Sequence, residues 1–186
     1  MGKIDYEQDF IQIGNEKFVP MISEKKLANR TKELGEKISQ DYEGKLPIFI
    51  GVLNGSFMFM ADLMKQVTIH CEMDFMKLSS YGDKKISSGN VKMLKELNAD
   101  IAERHIIVVE DIVDSGLSIN YMDGLLKQLN PASIKYVSLL VKPNSLKYDV
   151  KIDYIGFEIA DQFVIGYGLD YAQRYRNLRA IYQLSD

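Results

Sequence analysis

The segment Ile106-Ile-Val-Val-Glu-Asp-Ile-Val-Asp-Ser-Gly-Leu-Ser118 restricts the fold of this chain more than any other stretch. Its apolar run, Ile106 to Val109, is what a strand shows when both of its faces are covered. Two carboxylates follow, then Asp114-Ser-Gly-Leu-Ser118, the small and turn-forming residues of a loop. A helical pattern opens at about Ser118 (Ile119, Met122, Leu125, Leu126, Leu129) and stops before Pro131. In a parallel α/β sheet such a strand–loop–helix turn lies at the carboxyl edge, where ligands bind. Unpaired amides of Ser115, Gly116, Leu117 and Ser118 at a helix N-terminus form an anion site. Glu110 and Asp111 would repel a bare anion. A ligand with phosphate at one end and hydroxyls at the other resolves the conflict, because the carboxylates accept from sugar hydroxyls. The segment asks for a phosphorylated sugar.

The remaining chain reads as alternating helices and strands. Ser23 can cap a helix with the stripe Leu27, Thr31, Leu34, Ile38 and Tyr42, ending near Gly44, although Gly35 weakens it. Ile48 to Leu53 reads as a buried strand, and Asn54-Gly-Ser56 as a tight turn into a helix running to about Gln66. Alternation over Ile69 to Leu78 and a strand-like Val91 to Leu97 enclose the polar stretch 79–90, which reads as the tip of a long hairpin. Such a tip can serve as an active-site lid. Ile134 to Val141, Tyr154 to Ile159 and Phe163 to Ile165 supply further strands. Alternation of this kind implies an α/β fold with a mainly parallel sheet and right-handed crossovers.

At 186 residues the chain suits one domain, 1–186, with a full core. A net charge of −3 argues against nucleic-acid or membrane-surface binding. No apolar run of membrane-spanning length occurs, and Met1-Gly-Lys-Ile-Asp-Tyr-Glu7 is too polar for a secretory signal. The single cysteine, Cys71, excludes an internal disulfide framework, so a cytoplasmic address is expected. His70, His105 and Cys71 read as structural. No His/Cys cluster suggests zinc, and neither a P-loop nor a dinucleotide-binding fingerprint is present.

The loop at 110–118 resembles the phosphoribosyl-diphosphate (PRPP) signature of the type I phosphoribosyltransferases. The resemblance extends in order through Gly51-Val-Leu-Asn-Gly-Ser56, Ser80-Tyr81, Val141-Lys-Pro143 and Asp161-Gln-Phe-Val-Ile-Gly-Tyr-Gly-Leu-Asp170. Together these are similar to the hypoxanthine (hypoxanthine-guanine) phosphoribosyltransferases. The resemblance covers about Ile48 to Arg179 and implies a parallel sheet flanked by helices, a flexible hairpin lid and a small hood. The hood is expected to draw on the N-terminal segment and the stretch after Lys142.

The same resemblance assigns roles. Glu110 and Asp111 would hold the ribose hydroxyls, and Ser115 to Ser118 the 5′-phosphate. Asp114, which taken alone could merely cap a turn, becomes the catalytic carboxylate beside purine N7. Asn54, Gly55 and Arg176 would bind pyrophosphate, the Asn54 loop often carrying a non-proline cis peptide. Some relatives have a basic residue at the place of Asn54, which leaves the backbone contacts as the expected ones. Lys142 would donate to the purine 6-oxo group, Phe163 would stack on the base, and Val164 would offer its backbone. Backbone carbonyls near Val164 and Asp170 are expected around purine position 2. Ser80 and Tyr81 belong to the lid. Asp170, with Glu110 and Asp111, would serve Mg²⁺, which takes few protein ligands. Arg174 and Arg179 read as surface or interface residues. The implied activity is transfer of phosphoribosyl from PRPP to hypoxanthine or guanine by a homodimer or homotetramer. A transferase for xanthine or uracil, and a PRPP-sensing regulator, are the competing expectations.

Overall fold

The computed structural model describes residues 10–81 and 90–185, with side chains outside 79–94. Its main sheet has six strands in the order β5-β4-β3-β6-β7-β8. These are β3 (Ile48–Leu53), β4 (Glu72–Tyr81), β5 (Asn90–Lys95), β6 (His105–Val113), β7 (Ser133–Val141) and β8 (Tyr154–Glu158). Five of them run parallel, and β5 pairs antiparallel to β4 at one edge. The expected parallel five-stranded core is present.

Why β6 shows no alternation is now visible. Ile107 and Val109 enter one apolar cluster with Leu34 and Ile38 of α1 (Glu24–Asp41) and Phe59 and Leu63 of α2 (Phe57–Gln66). Ile106 and Val108 enter another, with Ile119, Met122 and Leu126 of α3 (Leu117–Lys127). Both faces are covered, so every position in the run is apolar. The strand also continues beyond the run to Val113, because β7 offers a partner at Glu110↔Ser138 and Ile112↔Leu140. Glu110 and Asp111 are therefore strand residues rather than the start of the loop.

In α1, Ser23 accepts from the Lys26 amide at 3.3 Å, a cap worth about 1 kcal/mol. The whole stripe from Leu27 to Tyr42 is buried. Gly35, unfavourable by propensity, is required by packing: a Cβ there would lie 2.5 Å from Gln66 Cβ at the end of α2.

Other strand boundaries move as well. β4 starts at Glu72 rather than Ile69, since its parallel partner β3 begins at Ile48 opposite Glu72 and offers no ladder earlier. β5 ends at Lys95 rather than Leu97, where the chain turns back onto β4 through Asp74. Buried Asp74 accepts from the Phe75, Asn98 and Ala99 amides and pairs with Lys95. Burial pushes its pKa up, but these donors outweigh it and hold the carboxyl down at about 2. Ser80 and Tyr81 end β4 opposite Val91 and Asn90. The rest of the expected lid tip, 82–89, lies outside the described residues.

A second, antiparallel sheet has the order β1-β2-β10-β9. It joins β1 (Ile11–Ile13) and β2 (Glu16–Ile22) to β9 (Val164–Ile165) and β10 (Ile181–Leu184), over a core of Phe18, Ile165, Leu178 and Tyr182. The sequence pattern names neither β1, β2 nor β10. They are short, β2 contains Pro20, and their pairing joins opposite ends of the chain. Among the described residues no helix is long and apolar enough to cross a membrane.

Candidate active site

The carboxyl ends of β3, β6 and β7 bring three loops to one edge of the sheet. After β6, Gly116 takes φ +82° as the N-cap of α3, a conformation that favours glycine. A Cβ there would also meet Val150 Cγ2 at 2.9 Å. The Ser115 carbonyl accepts from the amides of Lys147 and Tyr148 at 2.9 and 3.3 Å. Segment 147–150 thus fixes the loop from behind, while Asp114 and Ser118 face solvent. Amides of the first turn of α3 have no intrahelical acceptor and make an anion cradle.

The acidic pair lies below this cradle. Glu110 is only 6 % exposed. Burial raises its pKa well above the usual carboxylate range, and the neighbouring Asp111 charge adds to the rise. Burial likewise pushes Asp111 up to about 6, against opposition from the Ile112 amide and the positive charge of Arg176. The sign follows from linkage: a native pKa near 6 against about 3.9 unfolded makes ionisation of Asp111 destabilising above pH 6, and the penalty disappears below about pH 4. Asp111→Asn should therefore raise stability at pH 7 by roughly 1–3 kcal/mol and leave it little changed at pH 4. Thermal melts at the two pH values check this. A lower Tm at pH 7 would contradict it.

Asp111 also explains Gly55. A Cβ on Gly55 would lie 1.6 Å from Asp111 Oδ2, so the turn after β3 rests directly on that carboxylate. Gly168, at φ +103°, presses from the other side, where a Cβ would lie 2.0 Å from the Gly55 carbonyl oxygen. The peptide joining Leu53 to Asn54 is cis, and Asn54 itself is exposed. Gly55→Ala should cost about 1–3 kcal/mol by overpacking and displace the acidic pair. Gly124→Ala, in open space on α3, should instead be neutral or stabilising by up to about 1 kcal/mol. Comparing the two melting temperatures tests the contact, and equal shifts would refute it.

Loop 166–176 completes this side. The Arg176 guanidinium donates to the Gly168 carbonyl at 2.8 Å and pairs with Asp170 at 2.7 Å. Asp170 also accepts from the Gln173 amide at 2.7 Å. Both residues are thus engaged within their own loop, which places the Arg176 charge near Asp111. Tyr167 pins the loop to α2, its hydroxyl donating to Asp62 at 2.7 Å. Among the described residues no three His, Cys, Asp or Glu side chains form a metal-holding group. Arg174 and Arg179 are exposed.

At the end of β7, Lys142 continues the ladder, its amide donating to the Val113 carbonyl at 2.9 Å. Its side chain is buried, yet the ammonium reaches Asp114 at 3.0 Å and Asp161 at 3.3 Å. Two residues after Asp161, Phe163 keeps 46 % of its surface exposed, although Phe18 and Tyr171 meet it edge-on at 6.1 and 5.8 Å. A large ring held at its edges with an open surface suits stacking on a flat ligand. Val164 is buried, so its side chain serves the core.

The structure brings together Gly55, Asp111, Asp170 and Arg176, and separately Asp114 and Lys142, with Phe163 two residues beyond the Asp161 that Lys142 contacts. Sequence pattern gives no individual role to Asp161, Tyr167, Asp62 or Gly168, since each acts through a contact distant in the chain. His105 and Tyr42 pack edge-on at 6.0 Å, and His105 Nδ1 lies 2.8 Å from Ser133 Oγ. They line a cleft of about 760 Å³ at the amino end of the strands, away from the site. Of its basic side chains, Arg30, Lys37 and Lys135 pair with Glu33, Asp41 and Asp153, and Lys45 donates to the Asp41 carbonyl.

Comparison with known proteins agrees with this geometry. The family model described as a phosphoribosyl transferase domain matches residues 21–172. The chain is 49 % identical over 158 residues to a hypoxanthine-guanine phosphoribosyltransferase of Bacillus subtilis, covering 85 % of this chain and 88 % of the relative. A Buchnera aphidicola hypoxanthine phosphoribosyltransferase is 46 % identical, with 85 % and 90 % covered. The crystal structure of a Staphylococcus aureus hypoxanthine phosphoribosyltransferase superposes with a TM-score of 0.87 at 38 % identity, covering 95 % of this chain and 92 % of that one. With its signature loop, parallel sheet and site edge in place, this chain belongs to the hypoxanthine-guanine phosphoribosyltransferase family.

Proposed function

We infer that this enzyme transfers the 5-phosphoribosyl group of PRPP to N9 of hypoxanthine or guanine, giving IMP or GMP and pyrophosphate, a purine salvage reaction. The observation that carries this reading is Lys142: a buried ammonium beside Asp114 at the end of β7, next to the segment bearing the open ring of Phe163. A base with a 6-oxo acceptor and an N7 edge matches that pair.

The amides of Ser115 to Ser118 receive the 5′-phosphate, and Glu110 and Asp111 accept from the ribose hydroxyls. The pyrophosphate meets the backbone of Asn54 and Gly55 and the Arg176 guanidinium, whose fork suits phosphate oxygens. Phe163 stacks on the purine, Val164 presents its backbone, and Lys142 donates to the 6-oxo oxygen. Asp114 faces N7 and accepts a proton as N9 attacks the anomeric carbon with inversion. Pyrophosphate leaves with the bonding electrons, its charge stabilised by the loop amides. Ser80 and Tyr81, at the end of β4, are assigned to the side that shields the activated sugar from water.

The hard carboxylate oxygens of Glu110 and Asp111, adjacent near the end of β6, suit Mg²⁺, with Asp170 on the pyrophosphate side. When bound, the ion would neutralise charge on the pyrophosphate and the acidic pair. We further assign residues 1–186 to one domain, with β1, β2, β9 and β10 as its hood, acting in the cytoplasm as a homodimer or homotetramer and without nucleic acid or membrane.

The test is to supply PRPP and Mg²⁺ with hypoxanthine, guanine, xanthine or uracil and follow nucleotide and pyrophosphate. Turnover with the first two is expected. PRPP binding without turnover would favour a regulator, and turnover confined to xanthine or uracil would reassign the base.

A further inference from the structure

We propose that Asp161 is a specificity-determining positioning residue, which holds the Lys142 ammonium toward the 6-oxo group while the purine takes over Asp114. The proposal rests on the purine assignment of Lys142 and extends it. An ammonium has three donors and no acceptor. In this structure Asp114 takes one at 3.0 Å and Asp161 another at 3.3 Å, which leaves the third for a ligand acceptor. Asp114 is the carboxylate that must turn to N7. When it does, Lys142, buried at 7 % exposure, would stand without a counter-charge, a costly state for a buried cation. Asp161 supplies that counter-charge from outside the reacting centre, since its own side chain is 72 % exposed.

The backbone around Asp161 fixes it in that place. On one side the Ile159 amide donates to the Val141 carbonyl at 2.9 Å, tying the segment to the strand that ends in Lys142. On the other, the Leu184 amide donates to the Phe163 carbonyl at 2.9 Å, tying it to the second sheet. Between them the Gln162 amide closes a tight turn onto the Ala160 carbonyl, also at 2.9 Å. Asp161 therefore sits where the main sheet hands over to the hood, and it links the two proposed base contacts, Lys142 and Phe163.

Steady-state kinetics of Asp161→Asn, Asp161→Glu, Lys142→Met and the Asp161→Asn/Lys142→Met double variant test this, with circular dichroism showing that each is folded. Asp161→Asn should raise the KM for hypoxanthine and guanine roughly three- to tenfold, more than it lowers kcat, with the PRPP KM within about twofold. Asp161→Glu should restore most of the loss. In the Lys142→Met background, Asp161→Asn should add nothing, because the effect passes through the ammonium. A hypoxanthine KM unchanged in Asp161→Asn, a parallel rise in the PRPP KM, or the same rise without Lys142 would each overturn the proposal. If Lys142→Met itself leaves the hypoxanthine KM untouched, the purine assignment of Lys142 fails and Asp161 falls with it. If only Asp161→Asn is silent, that assignment stands and this proposal alone fails.

Discussion

Asp114→Asn is expected to lower kcat on the order of 100-fold while the KM for PRPP changes little. Asn keeps an oxygen that accepts from Lys142, where Asp114 Oδ2 now lies 3.0 Å from the ammonium, so the loop should stay in place. What disappears is the negative charge and the ability to take a proton at N7. The 5′-phosphate and ribose contacts come from other residues of the loop and strand. Purine and PRPP saturation curves measured on the same preparation separate the two effects. Wild-type turnover would remove Asp114 from the chemistry. A large rise in the PRPP KM would show that it serves the sugar phosphate instead.

Lys142→Met should have the second large effect. Met retains the length of the side chain but removes all three donors. Hypoxanthine kcat/KM should fall by roughly 10- to 100-fold or more, since a hydrogen bond to a charged group is lost and two carboxylates are left facing an apolar tip. Adenine gains nothing comparable, but the donor that opposes its 6-amino group is gone. The preference for hypoxanthine should therefore narrow mainly by loss on the hypoxanthine side. If both bases lost activity in equal proportion, Lys142 would act on something they share, and its place at the 6-position would be wrong.

Much of the fold could be read locally because burial on two faces leaves a local trace. The run Ile106 to Val109, the stripe on α1 and the turn after Leu53 are such traces, and each appears where the pattern places it. The strand boundaries moved because a strand extends only as far as its neighbour, which is why β6 carries on through Glu110 and Asp111. Candidate site residues were legible where they share one segment, as in 110–118. The contacts that cross the chain were not legible. Gly55 is glycine because Asp111 lies against it, and Gly168 because the Gly55 carbonyl does. Nothing within a few residues of either position expresses that need. Asp161 similarly looks like an exposed turn residue until Lys142 is seen beside it. Of the second sheet only β9 leaves a local pattern, because β2 and β10 pair from opposite ends of the sequence.

The most direct test of the account is the ratio of kcat/KM for hypoxanthine to that for adenine in the wild-type enzyme, with PRPP and Mg²⁺ saturating. A buried ammonium can donate to a 6-oxo group and cannot accept from a 6-amino group. Leaving that donor unmatched in a closed site should give a ratio of roughly tens to thousands, as hydrogen-bonding sites achieve. Guanine should react alongside hypoxanthine, and xanthine, with an acceptor at position 2, should be poor. Adenine used as well as hypoxanthine would contradict the account.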